Sequence, residues 1–114
     1  MSECVFCKIA NGEISSKKVF EDDNFFAIKD IHPISEGHAL VISKKHFETI
    51  LDFPISMGPE LISTIKEVSL KVMKEVGATG FNIVQNNFPD SGQLVPHLHF
   101  HIIPRKKDDG VKLN

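Results

Sequence analysis

The longest periodic stretch of apolar residues lies in the middle of the chain, between Pro59 and Gly77. Apolar side chains recur there at steps of three and four residues, with lysines and glutamates on the opposite side. Pro59 suits the first turn of a helix and Gly77 suits its C-terminal end. The pattern predicts one long amphipathic helix, whose apolar face is formed by Leu61, Ile62, Ile65, Val68, Val72, Met73 and Val76.

Four shorter segments predict β-strands: two around residues 25–30 and 38–43, and then GFNIVQNN and PHLHFHII after the helix. Turn residues at Pro33 and Gly37 and the loop NFPDSGQ separate them. Short connections favour antiparallel pairing. The predicted fold class is therefore α+β, with the long helix covering one face of a mainly antiparallel sheet. No repeat or linker divides the chain, so we expect residues 1–114 to form a single domain.

The last of these strands alternates histidine with apolar residues. Because side chains of a strand alternate between its two faces, His97, His99 and His101 project from one side and the intervening apolar residues from the other. The apolar set can pack under the helix, which turns the imidazoles toward solvent or a cleft. An ordinary open face would carry Lys, Glu, Thr or Ser. Three histidines in this row indicate chemistry.

Composition narrows the classes of function. The chain has 114 residues, is 41% hydrophobic and carries a formal net charge of −2, so it lacks the basic excess of nucleic-acid and membrane-surface proteins. No apolar run approaches the ~20 residues that span a bilayer, and no secretory signal is visible. We expect a cytoplasmic protein with neither a nucleic-acid nor a membrane partner.

The histidine row alone leaves two chemistries open. Neutral imidazole is a good zinc ligand, but it also titrates near neutrality and can carry a transferred group. The chain's two cysteines, Cys4 and Cys7, are spaced as C-x-x-C. Without an export signal, this pair favours a metal or redox element over a structural disulfide, although two ordinary cysteines remain an alternative.

The residues around the row resemble the histidine triad (HIT) family. QNNFPDSGQLVPHLHFHIIPR is similar to the family signature, CVFCKIANGEI to its start, VFEDDNFFAIKDIHPISEGHALVISKKH to its first half and GFNIVQNN to the strand before the triad. The likeness extends to about Asp109, and the C-x-x-C start and HIIPR ending are most similar to the microbial branch. It implies a HIT-like fold with about five antiparallel strands and a homodimer whose sheet continues across the interface.

The resemblance also implies an activity. HIT proteins are nucleotide-binding hydrolases or nucleotidyl transferases that act at the α-phosphate of purine nucleoside phosphoramidates or dinucleoside polyphosphates. His99 would attack phosphorus and form a covalent nucleotidyl-histidine, from which a nucleoside monophosphate is released. His101 would donate to the phosphate oxygens. His97 is the first member of the triad, and His38 matches a fourth histidine that supports it.

Binding residues follow from the same resemblance. Asp30 matches the acid that accepts from the ribose hydroxyls. Asn86 and Gln93 match positions that hydrogen-bond the phosphate and leaving side, and Gly92 allows close approach. The apolar slot for the purine would be formed by Phe6, Ile9, Ile28 and Ile31, although on sequence alone such apolar residues are more often plain core.

A metal site is implied as well. Cys4, Cys7, His46 and His97 resemble the structural zinc site of many microbial HIT proteins, a closed set of two thiolates and two imidazoles. Such a site would pin the N-terminus to the sheet and leave His99 and His101 free for catalysis. No organic cofactor is implied.

One residue departs from the family pattern. After Gly-Gln the family usually carries Ser or Thr, whereas this chain has Leu94, which cannot donate a hydrogen bond. The change predicts slower turnover or a different leaving group. It also favours an alternative, a zinc-stabilised nucleotide-binding or interaction module with little turnover. A catalytic metal held by the histidine row is a third alternative. The segment after about residue 106 is expected to be mobile or to pack on a partner subunit.

Overall fold

The computed structural model describes residues 4–113. In chain order its elements are α1 (Val5–Ala10), β1 (Lys18–Glu21), β2 (Phe25–Lys29), β3 (Ala39–Ser43), α2 (Gly58–Val76), β4 (Gly80–Val84) and β5 (His99–Arg105). Single 3-10 turns lie at Ile50–Asp52, Ile55–Met57 and Pro89–Ser91. Within these residues no helix combines the length and the apolar character that crossing a membrane requires.

The strands form one five-stranded sheet in the order β1-β2-β3-β5-β4. Every neighbouring pair is antiparallel, which confirms the predicted α+β fold with one long helix. β5 lies between β3 and β4. Its pairing places His99 opposite Ile42 and His101 opposite Leu40. β3 therefore pairs with both histidines, and β4 pairs with His101 as well, through Val84.

α2 covers one face of the sheet and forms the larger apolar core. Gly77 ends the helix in the left-handed conformation, with φ 71°, and its N–H bonds to the Met73 carbonyl. Ile62 was predicted on the apolar face, but it is 57% exposed, because it lies about 100° around the helix from the buried Leu61. The buried cluster consists of Phe25, Ala27, Ala39, Val41, Phe47, Leu61, Ile65, Val68, Val72, Leu98, Phe100 and Ile102.

The opposite face is covered as well, by α1. A second apolar cluster there consists of Phe6, Ile9, Phe26, Ile28, Leu40 and Ile42. All five residues of β3 are buried, and the first four, ALVI, form a continuous apolar run rather than an alternation, with the polar Ser43 at the end. The histidine row was expected to face solvent or a cleft. The imidazoles point away from α2; His99 and His101 line a cleft, and Phe6 of α1 packs against the rings of His97 and His99.

The bounds of two strands also differ from those predicted. β5 begins at His99 rather than in the preceding PHL, because the Leu98 N–H bonds to the Phe47 carbonyl and the His97 N–H to the Val95 carbonyl. β1 was not among the strands predicted from the hydrophobic pattern. It has only four residues, none of them buried, and an irregular register with β2.

Arg105 ties the C-terminal segment to the sheet. Its guanidinium donates to the Asp109 carboxylate at 2.8 and 3.0 Å, to Asn82 Oδ1 at 2.9 Å and to the Val111 carbonyl at 3.1 Å. The Arg105 partner holds the pKa of Asp109 below its usual range. The mobility of residues beyond 106 stays a prediction.

Candidate active site and metal centre

His99 is held as a neutral imidazole with one nitrogen free. Its Nδ1–H donates to the main-chain carbonyl of His97 at 2.7 Å, which leaves the lone pair on Nε2. Burial lowers the pKa of His99, although the His97 carbonyl and the Asp30 carboxylate act in the opposite direction. The ring is 8% exposed and lines a cavity. It is therefore poised to act as a nucleophile or to accept a hydrogen bond.

A chain of hydrogen bonds sets the protonation of His101. The Ile34 N–H donates to His38 Nδ1 at 3.0 Å, so the proton of neutral His38 lies on Nε2. His38 Nε2 is 3.0 Å from His101 Nδ1, which must then accept, and His101 carries its own proton on Nε2. Burial lowers the pKa of His101 to about 4, assisted by His99 and His38 and opposed by Asp30. Burial also lowers the pKa of His38. His101 is thus a neutral donor.

Asp30 lies beside the two histidines of this hydrogen-bond chain. Its Oδ1 accepts from the His32 N–H at 2.9 Å, while its Oδ2 lies 3.5 Å from His38 Nε2 and 3.8 Å from His101 Nδ1. The carboxylate is largely buried and lines the same cavity as His99. It has oxygen lone pairs left to accept from hydroxyl groups of a ligand.

The cavity in front of these residues has a volume of about 470 Å³, within the usual range for small-molecule sites. All four residues predicted for the purine slot line it: Phe6, Ile9, Ile28 and Ile31. Ile31 is 86% exposed, so it stands at the mouth rather than in the core. Asn86 and Gly92 also line the cavity. Gly92 has φ 101°, a conformation that favours glycine.

Gln93 has a different position. Its side chain is buried and does not line the cavity: Nε2–H donates to the Glu48 carbonyl at 2.7 Å, and Oε1 accepts from the Phe88 N–H at 2.6 Å. These bonds hold the loop between β4 and β5 against the segment after β3. In this arrangement Gln93 positions Gly92 and does not face a ligand.

The second predicted cluster lies at the other end of the histidine row. Cys4 Sγ is 3.2 Å from His97 Nδ1, Cys7 Sγ is 3.2 Å from His46 Nδ1, and the two Nδ1 atoms are 3.1 Å apart. His97 is fully buried, and its Nε2–H donates to the Ser43 carbonyl at 2.7 Å, which turns the Nδ1 lone pair toward the thiols. All four ligand atoms lie within 4.8 Å of one another.

This donor set fits zinc. In a tetrahedron with bonds of about 2.0–2.3 Å, neighbouring ligand atoms are about 3.3–3.8 Å apart, close to the separations found here. The carbonyl behind His97 is the usual outer partner of a metal-bound histidine. Burial raises the pKa of Cys7 to about 11, with Cys4 acting in the same direction. A bound cation would favour the thiolates that burial alone disfavours.

Some residues of the site were not predicted. Val5, Leu40 and Val95 also line the cavity, and the Ser43 carbonyl and Ile34 N–H set the tautomers of His97 and His38. Leu40 carries a sequence signal, since it alternates with Ile42 on a buried strand. The backbone groups carry none, because any residue supplies them.

Comparison with known proteins places the chain in a family. The HIT domain profile matches residues 11–108. An uncharacterised HIT-like protein of Methanocaldococcus jannaschii is 49% identical over 109 residues, covering 94% of this chain and 82% of that protein. An adenosine 5′-monophosphoramidase of Candida albicans is 35% identical over 116 residues, covering 98% and 76% of the two chains.

The fold agrees with that placement. The structure of a zinc-bound histidine triad family protein of Mycobacterium smegmatis superposes with a TM-score of 0.91 at 32% identity, covering 99% of this chain and 82% of that one. Family profile, sequence relatives and architecture all agree with the histidine row from which the resemblance was first drawn. The chain belongs to the HIT domain family.

Proposed function

We propose that the protein hydrolyses purine nucleoside phosphoramidates or dinucleoside polyphosphates at the α-phosphate, through a nucleotidyl intermediate on His99. The observation that carries the proposal is the 2.7 Å bond from His99 Nδ1 to the His97 carbonyl, which leaves Nε2 unprotonated at the cavity wall. The named activity of the relative from Candida albicans, an adenosine 5′-monophosphoramidase, supports the substrate class.

The first chemical step forms a bond between His99 Nε2 and phosphorus and breaks the bond from phosphorus to the leaving nitrogen or oxygen. The electron pair of the broken bond goes to the leaving atom. The Nδ1–H of His99 stays hydrogen-bonded to the His97 carbonyl. This bond stabilises the positive charge that the ring acquires. His101 Nε2–H donates to a phosphate oxygen as negative charge builds there.

In the second step His99 is the leaving group and water is the nucleophile. A water oxygen attacks phosphorus and a proton of that water passes to solvent, while the P–N bond to His99 breaks and its electron pair returns to Nε2. A nucleoside monophosphate leaves. Asp30 would accept from the ribose hydroxyls, and the slot formed by Phe6, Ile9, Ile28 and Ile31 would hold the purine. Asn86 would hydrogen-bond the phosphate, with Gly92 allowing the loop to approach. Gln93 would act through that loop.

A variant of His99 and a control variant test the chemistry. Wild type is expected to release the amine of a fluorogenic adenosine 5′-phosphoramidate, and His99→Asn is expected to lose at least about 10³-fold in kcat because the attacking atom is gone. Ile62→Asn, at a position of α2 that is 57% exposed and does not line this cavity, serves as the control and should keep the wild-type kcat. Full activity in His99→Asn would refute the proposal.

The proposed metal is a structural zinc held by Cys4, Cys7, His46 and His97. When bound, it would clip α1 to the sheet and take no part in the reaction. The fit of the donor atoms supports this role, and a zinc-bound relative of the same fold is known. Free cysteines also suit a reducing compartment such as the cytoplasm. Atomic absorption on the purified protein would measure the metal content, expected at one zinc per chain.

We also propose a homodimer with a continuous sheet. β4 lies at the edge of the sheet, and its Phe81 and Ile83 side chains are 40% and 50% exposed. Edge strands of this kind pair with a second copy unless they are blocked. Light scattering should give twice the mass of the chain for wild type and a smaller mass for Ile83→Lys.

A second candidate function is nucleotide binding with little turnover. Leu94 favours it, since the side chain at that position has no hydroxyl to stabilise a leaving group. This alternative predicts measurable AMP affinity by calorimetry together with no acid-labile nucleotidyl adduct in mass spectra of the protein quenched during turnover.

A further inference from the structure

The cavity in front of His99, to which the proposed function assigns the nucleotide, is called the nucleotide cavity here, and a second cavity adjoins it. The second cavity has a volume of about 510 Å³, and three apolar side chains line both cavities: Val5, Leu94 and Val95. Its other walls include Glu48 and Pro96. Leu94 is 92% exposed. A single exposed leucine on a surface is ordinary. This one stands at the junction of two cavities, one of which contains the proposed nucleophile.

The order of residues along the histidine row places the second cavity on the leaving-group side. Asp30 lies 3.8 Å from His101 at one end of the row, and His46 and Cys4, which line the second cavity, contact His97 at the other end. His99 lies between them. A nucleotide whose ribose is at Asp30 and whose α-phosphorus is at His99 therefore extends toward the second cavity.

The direction in which His99 would attack phosphorus also places the leaving group near Leu94. In an in-line displacement the leaving atom lies opposite the attacking nitrogen. His99 reaches the cavity from the sheet, so the leaving group departs away from the sheet, toward the mouth. Leu94 stands at that mouth.

Resting on the proposed function, we propose that the second cavity is a leaving-group subsite in which Leu94 and Glu48 select an amine with an apolar substituent over a polyphosphate. Leu94, Val95 and Pro96 offer apolar contact and no hydroxyl donor. Among residues 4–113 the Glu48 carboxylate has no ion-pair partner. Its charge favours a cationic amine product and repels an anionic one.

The proton balance of the step agrees with this selection. As His99 Nε2 bonds to phosphorus, the P–N bond breaks and its electron pair goes to the amine nitrogen. That nitrogen takes two protons from solvent, one to form the neutral amine and one to form the ammonium ion, because Leu94 has none to donate. A primary amine then leaves as an ammonium ion beside Glu48. A polyphosphate would instead leave with several negative charges against the same carboxylate.

The test compares three substrates that share the AMP moiety. They are the adenosine 5′-phosphoramidates of phenethylamine and of ammonia, and P1,P4-di(adenosine-5′) tetraphosphate. Because the nucleotide is common, ratios of kcat/KM report on the leaving group alone. We expect wild type to prefer the phenethyl substrate to the ammonia substrate by about tenfold, the low end of what a hydrophobic pocket discriminates.

Two variants separate the roles. Leu94→Ser should cut the phenethyl preference to about twofold, in keeping with the loss of one apolar contact in a hydrophobic pocket. Glu48→Gln should raise the relative kcat/KM of the tetraphosphate by about threefold, and added salt should shrink that gain. Ile55→Ser is the matched control, since Ile55 is 94% exposed and lines neither cavity.

The outcomes are distinguishable. Equal kcat/KM for all three substrates, or ratios that both variants leave unchanged, would overturn the subsite and leave the proposed function intact. No turnover of any substrate would overturn the proposed function and the subsite together. Ratios that change in the two variants and not in Ile55→Ser would support the subsite.

Discussion

Removing the metal is expected to release α1 from the sheet. This helix has six residues, shorter than the ~12–15 that isolated helices need. Cys4 caps its start, where Sγ accepts from the Cys7 N–H at 3.4 Å, so both thiols of the proposed zinc site lie in or beside its first turn. Metal ligation and helix docking are therefore expected to be one event.

The energies show why docking depends on the metal. Burying Phe6 and Ile9 stabilises the docked helix by about 1.5–3 kcal/mol each. Ordering its six residues costs about 1–2 kcal/mol each, which exceeds that gain. Helix hydrogen bonds, at about 0.5–1.5 kcal/mol each, add to the burial gain and only bring it near the cost of ordering. The ~10–16 kcal/mol that structural zinc contributes in small peptides is far larger than the remainder.

Loss of α1 would remove part of the wall of the nucleotide cavity. Val5, Phe6 and Ile9 form one wall of the nucleotide cavity. The Phe6 ring packs edge-on against the rings of His97 and His99, with centroids 5.7 and 5.2 Å apart. The core under α2 lies on the opposite face of the sheet and shares no residue with the cluster under α1. We therefore expect local unfolding with the sheet retained.

Hydrogen exchange after chelation measures this. Once metal analysis shows the zinc removed, amides of residues 5–10 should exchange at nearly free-chain rates while β3 stays protected. AMP affinity by calorimetry should fall by at least about tenfold, as expected from losing one buried aromatic contact. Cys7→Ser should behave like the chelated protein, and adding zinc should restore wild type only. Protected α1 amides in protein shown to be metal-free would refute the reasoning.

Three other perturbations test the hydrogen-bond chain, the buried imidazoles and the core. His38→Asn removes the group that sets the His101 proton, so kcat should fall by about 10²-fold with little change in KM; steady-state kinetics with unchanged kcat would contradict the chain. Burial lowers the pKa of His101 from 6.5 to about 4. As pH falls through this window the unfolded chain binds the proton first, so stability is lost, by up to about 3 kcal/mol from this residue. Urea unfolding between pH 6.5 and 4 should show a shallower loss for His101→Asn than for wild type, and equal slopes would argue against it. Ile102→Ala, at a fully buried position of the α2 core, should lower the free energy of unfolding by about 2–5 kcal/mol. Leu70→Ala, at a position 68% exposed, should change it by less than about 0.5 kcal/mol; similar thermal shifts for the two would refute the assignment of the core.

Long regular elements were predictable because their pattern is repeated many times. α2 has five turns of apolar spacing between a proline and a left-handed glycine, and its bounds, Gly58–Val76, agree closely with the prediction. α1 offers two core positions, Phe6 and Ile9, which is too few for a period to be recognised. Its presence follows from contacts distant in sequence, chiefly those of Cys4 and Cys7 with His46 and His97.

The candidate site divides in the same way. Side-chain types and their spacing pointed to the row and to the thiols, and the resemblance supplied roles. Directions of side chains did not follow: Gln93 was expected at the phosphate and instead bonds main-chain groups of Glu48 and Phe88. An amide can face either way along a loop, and only the three-dimensional position of its partners decides.

The three imidazoles of the row show why such partners matter. They share a residue type and a face of the strand, yet each presents a different nitrogen. The Ser43 carbonyl accepts a hydrogen bond from the Nε2–H of His97, which leaves the Nδ1 lone pair available to a metal. The His97 carbonyl accepts a hydrogen bond from the Nδ1–H of His99, which leaves the Nε2 lone pair available for the proposed attack on phosphorus. His38 donates to Nδ1 of His101 and so keeps a proton on its Nε2. Alternation along the strand brings the rings to one surface. The groups behind them determine which nitrogen of each ring carries the lone pair, and so suit His97 to the proposed ligand role, His99 to the proposed nucleophile role and His101 to the proposed donor role. Changing His38 should therefore alter what the row does without altering the row.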